Sequence, residues 1–186
     1  MQQSNDKSGA PAPTIVSRLR GSRRWMIDLL VIVVLVGGVH IYRTKDMLVT
    51  DEQSSPPLML QTLAGEPDGL RSIDDRPALI YFFAPWCHVC AASAHNIRQL
   101  RLSRKEEDLL IFMVVLDWRN VDEVNEFVAR HELNVPVLLG TPKTARDWGV
   151  SVFPTYYIVN SQQRITRRDY GYTTFAGLWL RSVFAD

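Results

Sequence analysis

The 186-residue sequence contains little cysteine and almost no net charge, and each scarcity excludes a class of protein. Two cysteines are too few for a small scaffold held together by several disulfide bonds. A formal net charge of +1 gives neither the basic excess typical of nucleic-acid binding nor the acidic excess of a disordered tail. The sequence shows no internal repeat and no low-complexity tract. Its 46% hydrophobic residues suffice for a buried core, and its length fits one ordinary domain with a modest extension.

The N-terminal part of the chain divides into a basic segment, an apolar segment and a linker. Residues 1–24 are polar and basic. Residues 25–42 form an apolar stretch that predicts a transmembrane helix, with an aromatic residue at each end for the two membrane interfaces. Because the positive charges precede this stretch, we expect residues 1–24 in the cytoplasm and the rest of the chain outside. Residues 43–57, which end in Ser-Ser-Pro-Pro, are interpreted as a linker.

A cleaved secretory signal is the alternative interpretation of the same apolar segment. Residues 29–39 are short enough for the hydrophobic region of a signal peptide, and the Arg-rich start suits its basic region. No Ala-x-Ala-like cleavage site follows, which favours the anchor. Both interpretations deliver the remaining residues to the same side of the membrane.

Residues 58–186 show the pattern of one α/β domain. Residues 78–83 and 109–116 are continuous apolar runs, typical of strands that are buried on both faces. Further strands are predicted at 58–63, 135–139, 155–159 and 164–170, a turn at 65–69, and helices at 87–102, 121–128, 143–148 and 173–184. Asn120 or Asp122 is expected to cap the second of these helices. This order predicts a mixed β-sheet with helices on both faces.

The residues that carry chemistry are Trp86-Cys87-His88-Val89-Cys90, placed between a buried strand and the start of a helix. The first N–H groups of a helix are unpaired and its dipole is positive there, so a Cys87 thiolate would be stabilised and its pKa lowered. The spacing puts Cys90 one turn further along, close enough to form a disulfide. Cys87 is therefore the expected nucleophile and Cys90 the resolving thiol in thiol–disulfide exchange.

Metal binding is the competing interpretation of the same two cysteines. A structural zinc site needs four ligands, and haem attachment needs a histidine directly after the second cysteine, where this sequence has Ala91. A copper(I) site formed by Cys87, Cys90 and His88 stays open.

Trp-Cys-x-x-Cys between a strand and a helix, followed downstream by Phe153-Pro154-Thr155 leading into a strand, resembles the thioredoxin superfamily. The apolar N-terminal segment, the extra strand near Leu58 and the long stretch between motif and proline resemble its TlpA-like branch. Within that branch, the sequence resembles the membrane-tethered protein disulfide oxidoreductases of bacterial copper-sensitivity suppressor operons. The resemblance implies a thioredoxin-like mixed sheet over residues 58–186, preceded by one transmembrane helix.

The same resemblance implies roles for further residues. Pro154 would follow a cis peptide bond and face the dithiol, where the backbone of Phe153 can pair with an extended substrate. Trp86 would shield the dithiol. His88 and Val89 would tune its redox properties, because a partly protonated imidazole beside the thiolate favours the reduced form. A reduction potential above the roughly −270 mV of thioredoxin is therefore expected.

The function implied by the resemblance is a membrane-anchored thiol:disulfide oxidoreductase that acts on extracytoplasmic cysteine-containing proteins. Reduction is the favoured direction, with electrons from a transmembrane thiol partner and with neither an organic cofactor nor a metal. The expected location is the bacterial inner membrane, single-pass, with the C-terminal domain in the periplasm. The alternatives are a protein disulfide oxidase and a thioredoxin-fold copper chaperone that would contribute to copper tolerance.

The sequence departs from thioredoxin at the position six residues before the first cysteine. Thioredoxin has an acidic residue there, which assists proton transfer to the buried thiol, whereas this chain has Tyr81. The acidic residues Glu106, Glu107 and Asp117 could replace it, but the sequence does not place any of them at the site. Proton transfer to and from Cys90 is therefore left without an assigned group.

Overall fold

The computed structural model describes residues 15–44, 48, 54–70 and 76–184. The chain forms two compact units, Met1–Thr44 and Lys45–Asp186. Most of the predicted basic segment 1–24 and most of the predicted linker 43–57 lie outside the described residues.

The first unit contains one helix, α1 (Ile15–Thr44), over the described residues. Within the part of the chain that the structure describes, no helix is apolar over a sufficient length to cross a membrane. The transmembrane helix predicted at 25–42 is therefore wrong, and so is the inner-membrane location with a periplasmic domain that rested on it. The physical reason is length: between Asp28 and His40 the apolar run covers only positions 29–39, whereas a span needs about 20 apolar residues.

The second unit contains seven strands and four helices over its described residues. In chain order they are β1 (Met59–Gln61), β2 (Pro67–Gly69), β3 (Ala78–Phe83), α2 (His88–Ser103), β4 (Leu110–Val115), α3 (Val121–Arg130), β5 (Val137–Leu139), α4 (Pro142–Asp147), β6 (Thr155–Val159), β7 (Ile165–Tyr170) and α5 (Phe175–Val183). Strands β3 to β7 form one sheet in the order β5-β4-β3-β6-β7, and β1 pairs with β2 separately. Strands β3, β4 and β5 are parallel, while β6 and β7 are antiparallel to their neighbours. The predicted mixed sheet is confirmed.

Side chains of the central strands alternate between two buried clusters, one on each face of the sheet. The cluster on the cysteine face, as we name it, contains Tyr81 and Tyr156 with residues of α2, α3 and α5, including both cysteines. The cluster on the Trp148 face contains Phe82, Tyr157 and Trp148, the C-terminal cap of α4. Both connections β3-α2-β4 and β4-α3-β5 run in the same direction across the sheet, so right-handed crossovers place α2 and α3 on one face.

The β1–β2 hairpin is the main departure from the predicted secondary structure. The predicted turn at 65–69 lies earlier, because the Thr62 N–H donates to the Glu66 carbonyl and the chain re-enters a strand at Pro67. Gly69 ends this strand with φ 151°, where a Cβ would lie 2.1 Å from the Leu58 carbonyl oxygen. Only glycine permits this close approach of the two backbones.

Candidate active site

Cys87 lies at the junction of β3 and α2 and caps the helix. Its backbone is extended (φ −79°, ψ 107°), and its Sγ accepts a hydrogen bond from the Cys90 N–H at 3.1 Å. The Cys87 N–H donates to the Ala84 carbonyl at 3.1 Å, which fixes the turn between strand and helix. Sulfur therefore takes the place that a Ser, Thr or Asp oxygen usually fills at the first unpaired N–H groups. The helix begins at His88, one residue later than predicted.

Cys87 and Cys90 are joined by a disulfide bond, with their Cα atoms 5.2 Å apart. Cys87 is 6% exposed and Cys90 is completely buried, so Cys87 is the only one of the two residues with any surface in contact with solvent. The first turn of α2 contains no acidic residue that would oppose a thiolate at the positive end of the helix. The neighbouring His88 and Val89 are exposed.

Trp86 is held beside the disulfide by Asp117 and Phe153. Its indole N–H donates to the Asp117 carboxylate at 3.0 Å and to the Asp117 carbonyl at 3.2 Å. The Trp86 and Phe153 rings pack edge to face, with their centroids 5.8 Å apart. Trp86 nonetheless stays 56% exposed, so it forms part of the surface around Cys87.

Asp117 reaches Trp86 because β3 and β4 are parallel and end at the same edge of the sheet. Phe83 of β3 is paired with Val115 of β4, and both strands end at this pair. Asp117 adopts a left-handed conformation with φ 51°, which is uncommon for a non-glycine residue. Its position after a buried strand was the only sequence signal that it would lie near the motif.

The loop before β6 contains the predicted cis peptide bond, Phe153–Pro154, which is confirmed. The Pro154 carbonyl accepts from the Gly171 N–H at 2.7 Å, and the Thr155 hydroxyl donates to the Val152 carbonyl at 2.8 Å. Phe153 packs against the cysteine face, and within the described residues its own N–H and C=O make no backbone hydrogen bond. The loop is thus fixed on both sides of a residue whose backbone groups are unoccupied.

The remaining acidic candidates lie away from the cysteines. Glu106 and Glu107 follow the C-terminal end of α2, and a helix of this length separates its ends by roughly 24 Å. Over the described ranges, no group of three or more His, Cys, Asp or Glu side chains is placed to hold a metal ion.

Two buried hydroxyl groups lie on the cysteine face near Cys90. Tyr81 and Ser93 are both completely buried, and neither side-chain oxygen has a hydrogen-bond partner among the described residues. Burial raises the pKa of the Tyr81 phenol, and the nearby Ser93 hydroxyl opposes part of this rise although the pair does not reach hydrogen-bonding geometry. Tyr81 therefore stays protonated at neutral pH and cannot act as the base that an acidic residue would provide. Sequence reasoning missed Ser93, whose only signal is its position one helical turn after Cys90.

A Cys-x-x-Cys disulfide at the start of a helix, beside a cis-proline loop on a mixed sheet, defines a thioredoxin-like thiol–disulfide oxidoreductase. The chain belongs to the Redoxin family, whose model matches residues 44–177. Among curated proteins it is similar to the thioredoxin-like protein YneN of Bacillus subtilis, with 26% identity over 149 residues, covering 75% of this chain and 85% of that protein. A thioredoxin-like protein of Haemophilus influenzae is 28% identical over 132 residues, covering 69% of this chain and 75% of the relative.

Solved structures show the same fold. A structure described as MTB dsbF in its mixed oxidized and reduced forms has a TM-score of 0.63 and 24% identity, covering 72% of this chain and all of that one. A thiol:disulfide interchange protein of Chlorobium tepidum has a TM-score of 0.66 and 17% identity, covering 74% of this chain and 99% of that one. The narrower resemblance to the copper-sensitivity type is not confirmed.

Proposed function

We propose that this chain reduces disulfide bonds in proteins, with Cys87 as nucleophile and Cys90 as resolving thiol. The observation that carries the proposal is the position of Cys87, which caps α2 with its sulfur on the Cys90 N–H and remains the more exposed of the two. A thiolate at this position gains from both the hydrogen bond and the helix dipole, while the buried partner is protected from other reagents.

In this mechanism the Cys87 thiolate attacks one sulfur of a substrate disulfide. A Cys87–substrate bond forms, the substrate disulfide breaks, and the departing substrate sulfur takes up a proton. The Cys90 thiol then loses its proton and attacks the Cys87 sulfur. The Cys87–Cys90 bond forms, the second substrate thiol is released, and two electrons have passed from the dithiol to the substrate.

The substrate is proposed to lie across Trp86, Phe153 and Pro154. Trp86 offers an exposed aromatic surface next to Cys87, and Phe153 offers a backbone N–H and C=O that are free to pair with an extended chain. Main-chain pairing is independent of the substrate sequence, so this surface suits many proteins that contain cysteine.

The reductive direction is supported by the resemblance to the TlpA-like branch. It requires a second dithiol protein that returns electrons to Cys87 and Cys90 after each turnover. His88 is proposed to raise the reduction potential from its exposed position beside Cys87. A measured reduction potential therefore distinguishes a reductase from an oxidase.

The test is the reduction potential of the full chain, equilibrated against glutathione or dithiothreitol buffers and read by alkylation and mass spectrometry. A value near or below about −250 mV supports a reductase, and a value near about −120 to −180 mV shows an oxidase instead. If Cys87 and Cys90 form no reversible disulfide, the proposed function is wrong, and copper(I) titration of the reduced chain becomes the next measurement.

The roles of the two cysteines are separated by substitution. Cys90→Ser is expected to accumulate a mixed disulfide between Cys87 and the substrate, whereas Cys87→Ser is expected to form none. Mass spectrometry after incubation with insulin distinguishes the two variants, and a mixed disulfide on Cys90 in Cys87→Ser would reverse the assignment.

A further inference from the structure

By hydrogen-bond geometry, neither the Tyr81 nor the Ser93 hydroxyl has a partner among the described residues. The two groups lie close enough for Ser93 to oppose part of the rise that burial causes in the pKa of Tyr81, but they do not reach hydrogen-bonding geometry with each other. Buried polar groups are nearly always hydrogen-bonded, so two unpaired hydroxyls within one cluster require an explanation. Tyr81, Ser93 and Cys90 are all completely buried. Tyr81 belongs to the same buried cluster as Cys90, and Ser93 lies on the same helix. Ser93 follows Cys90 by three positions on α2, which places the two side chains on the same face one turn apart.

Tyr156, the neighbour of Tyr81, does not supply the missing partner. The two rings are stacked with centroids 6.4 Å apart, but the Tyr156 hydroxyl donates to the Asp169 carboxylate at 3.0 Å and approaches the Thr173 hydroxyl at 3.4 Å. Asp169 is in turn paired with Arg181 at 2.9 Å. The charged groups behind Tyr156 thus compensate each other.

In the disulfide form, the Cys90 sulfur is bonded to Cys87 and carries no charge. Reduction, or formation of the mixed disulfide on Cys87, frees this sulfur as a thiol that can ionise, and the thiolate accepts hydrogen bonds far better than a disulfide sulfur does. We propose that the Tyr81 and Ser93 hydroxyls are hydrogen-bond donors to the freed Cys90 sulfur, unpaired in the disulfide form and paired once the disulfide opens. The inference rests on the proposed function and assigns positioning residues to its second step.

The negative charge on Cys90 arises in the resolving step of the proposed mechanism. Cys90 loses its proton, attacks the Cys87 sulfur of the mixed disulfide, and displaces the substrate thiolate, which takes up one proton. The two hydroxyls keep their own protons and stabilise the negative charge while it resides on Cys90. They act in place of the missing acidic residue by stabilising the thiolate.

Because the hydroxyls gain partners only on reduction, they favour the reduced form. Removing either one is expected to lower the reduction potential of the full chain. A tenfold change in the equilibrium constant corresponds to about 30 mV for this two-electron couple, and we expect Tyr81→Phe and Ser93→Ala each to shift it by roughly that amount. In a Cys87→Ser background, the thiolate absorbance near 240 nm is expected to show the Cys90 pKa raised by about one unit in each variant.

The matched control is Tyr157→Phe, which removes a buried hydroxyl from the opposite face of the sheet. It is expected to leave both the potential and the Cys90 pKa unchanged, whatever its effect on stability. A purely structural role of Tyr81 would alter stability without moving either redox measurement. If the reduction potential and the Cys90 pKa stay unchanged in both Tyr81→Phe and Ser93→Ala, the inference is overturned. The proposed function would still stand in that case, provided that the wild-type cysteines form a reversible disulfide.

Discussion

Tyr81 and Tyr157 are both completely buried and lie on adjacent strands, yet their hydroxyl groups differ. On the Trp148 face, the Tyr157 hydroxyl donates to the Trp148 carbonyl at 2.7 Å and accepts from the Leu48 N–H at 3.4 Å. On the cysteine face, the Tyr81 hydroxyl has no partner among the described residues. The Trp148 indole N–H is also unpaired, but the two cysteines belong to the other cluster. The Tyr157 hydroxyl joins two chain segments, whereas the Tyr81 hydroxyl stays unpaired in the buried cluster that contains both cysteines.

The largest expected effect is a loss of stability in Trp148→Ala, without a change in the reduction potential. Trp148 contacts Phe82 and Tyr157 with ring centroids 5.5 and 5.3 Å apart, and Trp148→Ala leaves a cavity among them. The free energy of unfolding is expected to fall by about 3–5 kcal/mol, measured by urea denaturation of the oxidised chain. The reduction potential is expected to stay within about 10 mV of wild type, well below the 30 mV of a tenfold change. A larger shift would show that the two faces are not independent.

The second prediction compares the two tyrosines directly. Tyr157→Phe leaves the Trp148 carbonyl without its donor and is expected to lower the free energy of unfolding by about 1–3 kcal/mol. Tyr81→Phe removes a hydroxyl that has no partner in the disulfide form, so the oxidised chain is expected to be as stable as wild type or more stable. Urea denaturation of both oxidised variants checks this, and an equal loss in the two would contradict the difference between the faces.

A third prediction concerns the surface that extends the cysteine face around Cys87. Asp117→Ala removes the carboxylate acceptor of the Trp86 indole and is expected to lower the rate of insulin reduction a few-fold, because Trp86 is less well oriented. The rate with a small aromatic disulfide is expected to change little. Stability should fall by about 1–2 kcal/mol, since the hydrogen bond is exposed and Ala tolerates the left-handed conformation of this position less well than Asp. Asp122→Asn, on the exposed first turn of α3, is the control, and equal losses with both substrates would contradict a role in binding proteins.

The smallest expected effect is a pH dependence at the edge of the cysteine face. Partial burial, followed by the charge of Arg130, lowers the pKa of His131, which packs on Phe127 with ring centroids 4.5 Å apart. The folded state therefore favours the neutral ring. Its contribution is fully present above the unfolded pKa of about 6.5 and is lost as the pH falls from there through the lower pKa of the folded chain. Between pH 7.5 and 5.5 the loss should be smaller than about 0.5 kcal/mol and should be absent in His131→Gln.

The central strands were predictable because burial on both faces leaves a simple pattern. The apolar runs at β3 and β4 needed no knowledge of neighbouring segments. Of the two predicted caps of α3, Asn120 is the one that the structure shows, whereas Asp122 lies in the first turn. Strand β2 was not predictable in the same way. It is three residues long and contains Pro67 and Gly69, both unfavourable in strands, and it forms because Leu58 and Met59 lie alongside it.

The residues of the candidate site also fall into those that the sequence predicts and those that it does not. The two cysteines were predictable because their signal is local, a three-residue spacing. The cis bond at Pro154 was predicted from the resemblance to the thioredoxin superfamily. Asp117 and Ser93 were not, because each owes its role to a neighbour brought close by the fold. Asp117 meets Trp86 across 31 positions of sequence. Ser93 lies on the buried face of α2, close enough to Tyr81 of β3 to affect its pKa.

The cap of α2 has a consequence for local motion. Most helices begin on a side chain that keeps its chemical form, whereas α2 begins on the Cys87 sulfur. In the proposed mechanism this sulfur changes from disulfide to thiolate to mixed disulfide in every turnover. The Cys90 amide hydrogen is held by that sulfur, so its rate of exchange with deuterated solvent should follow the redox state, slowest when the acceptor is a thiolate. If the proposed mechanism holds, each catalytic cycle would tighten and loosen the first turn of the helix that begins at the Cys-x-x-Cys motif.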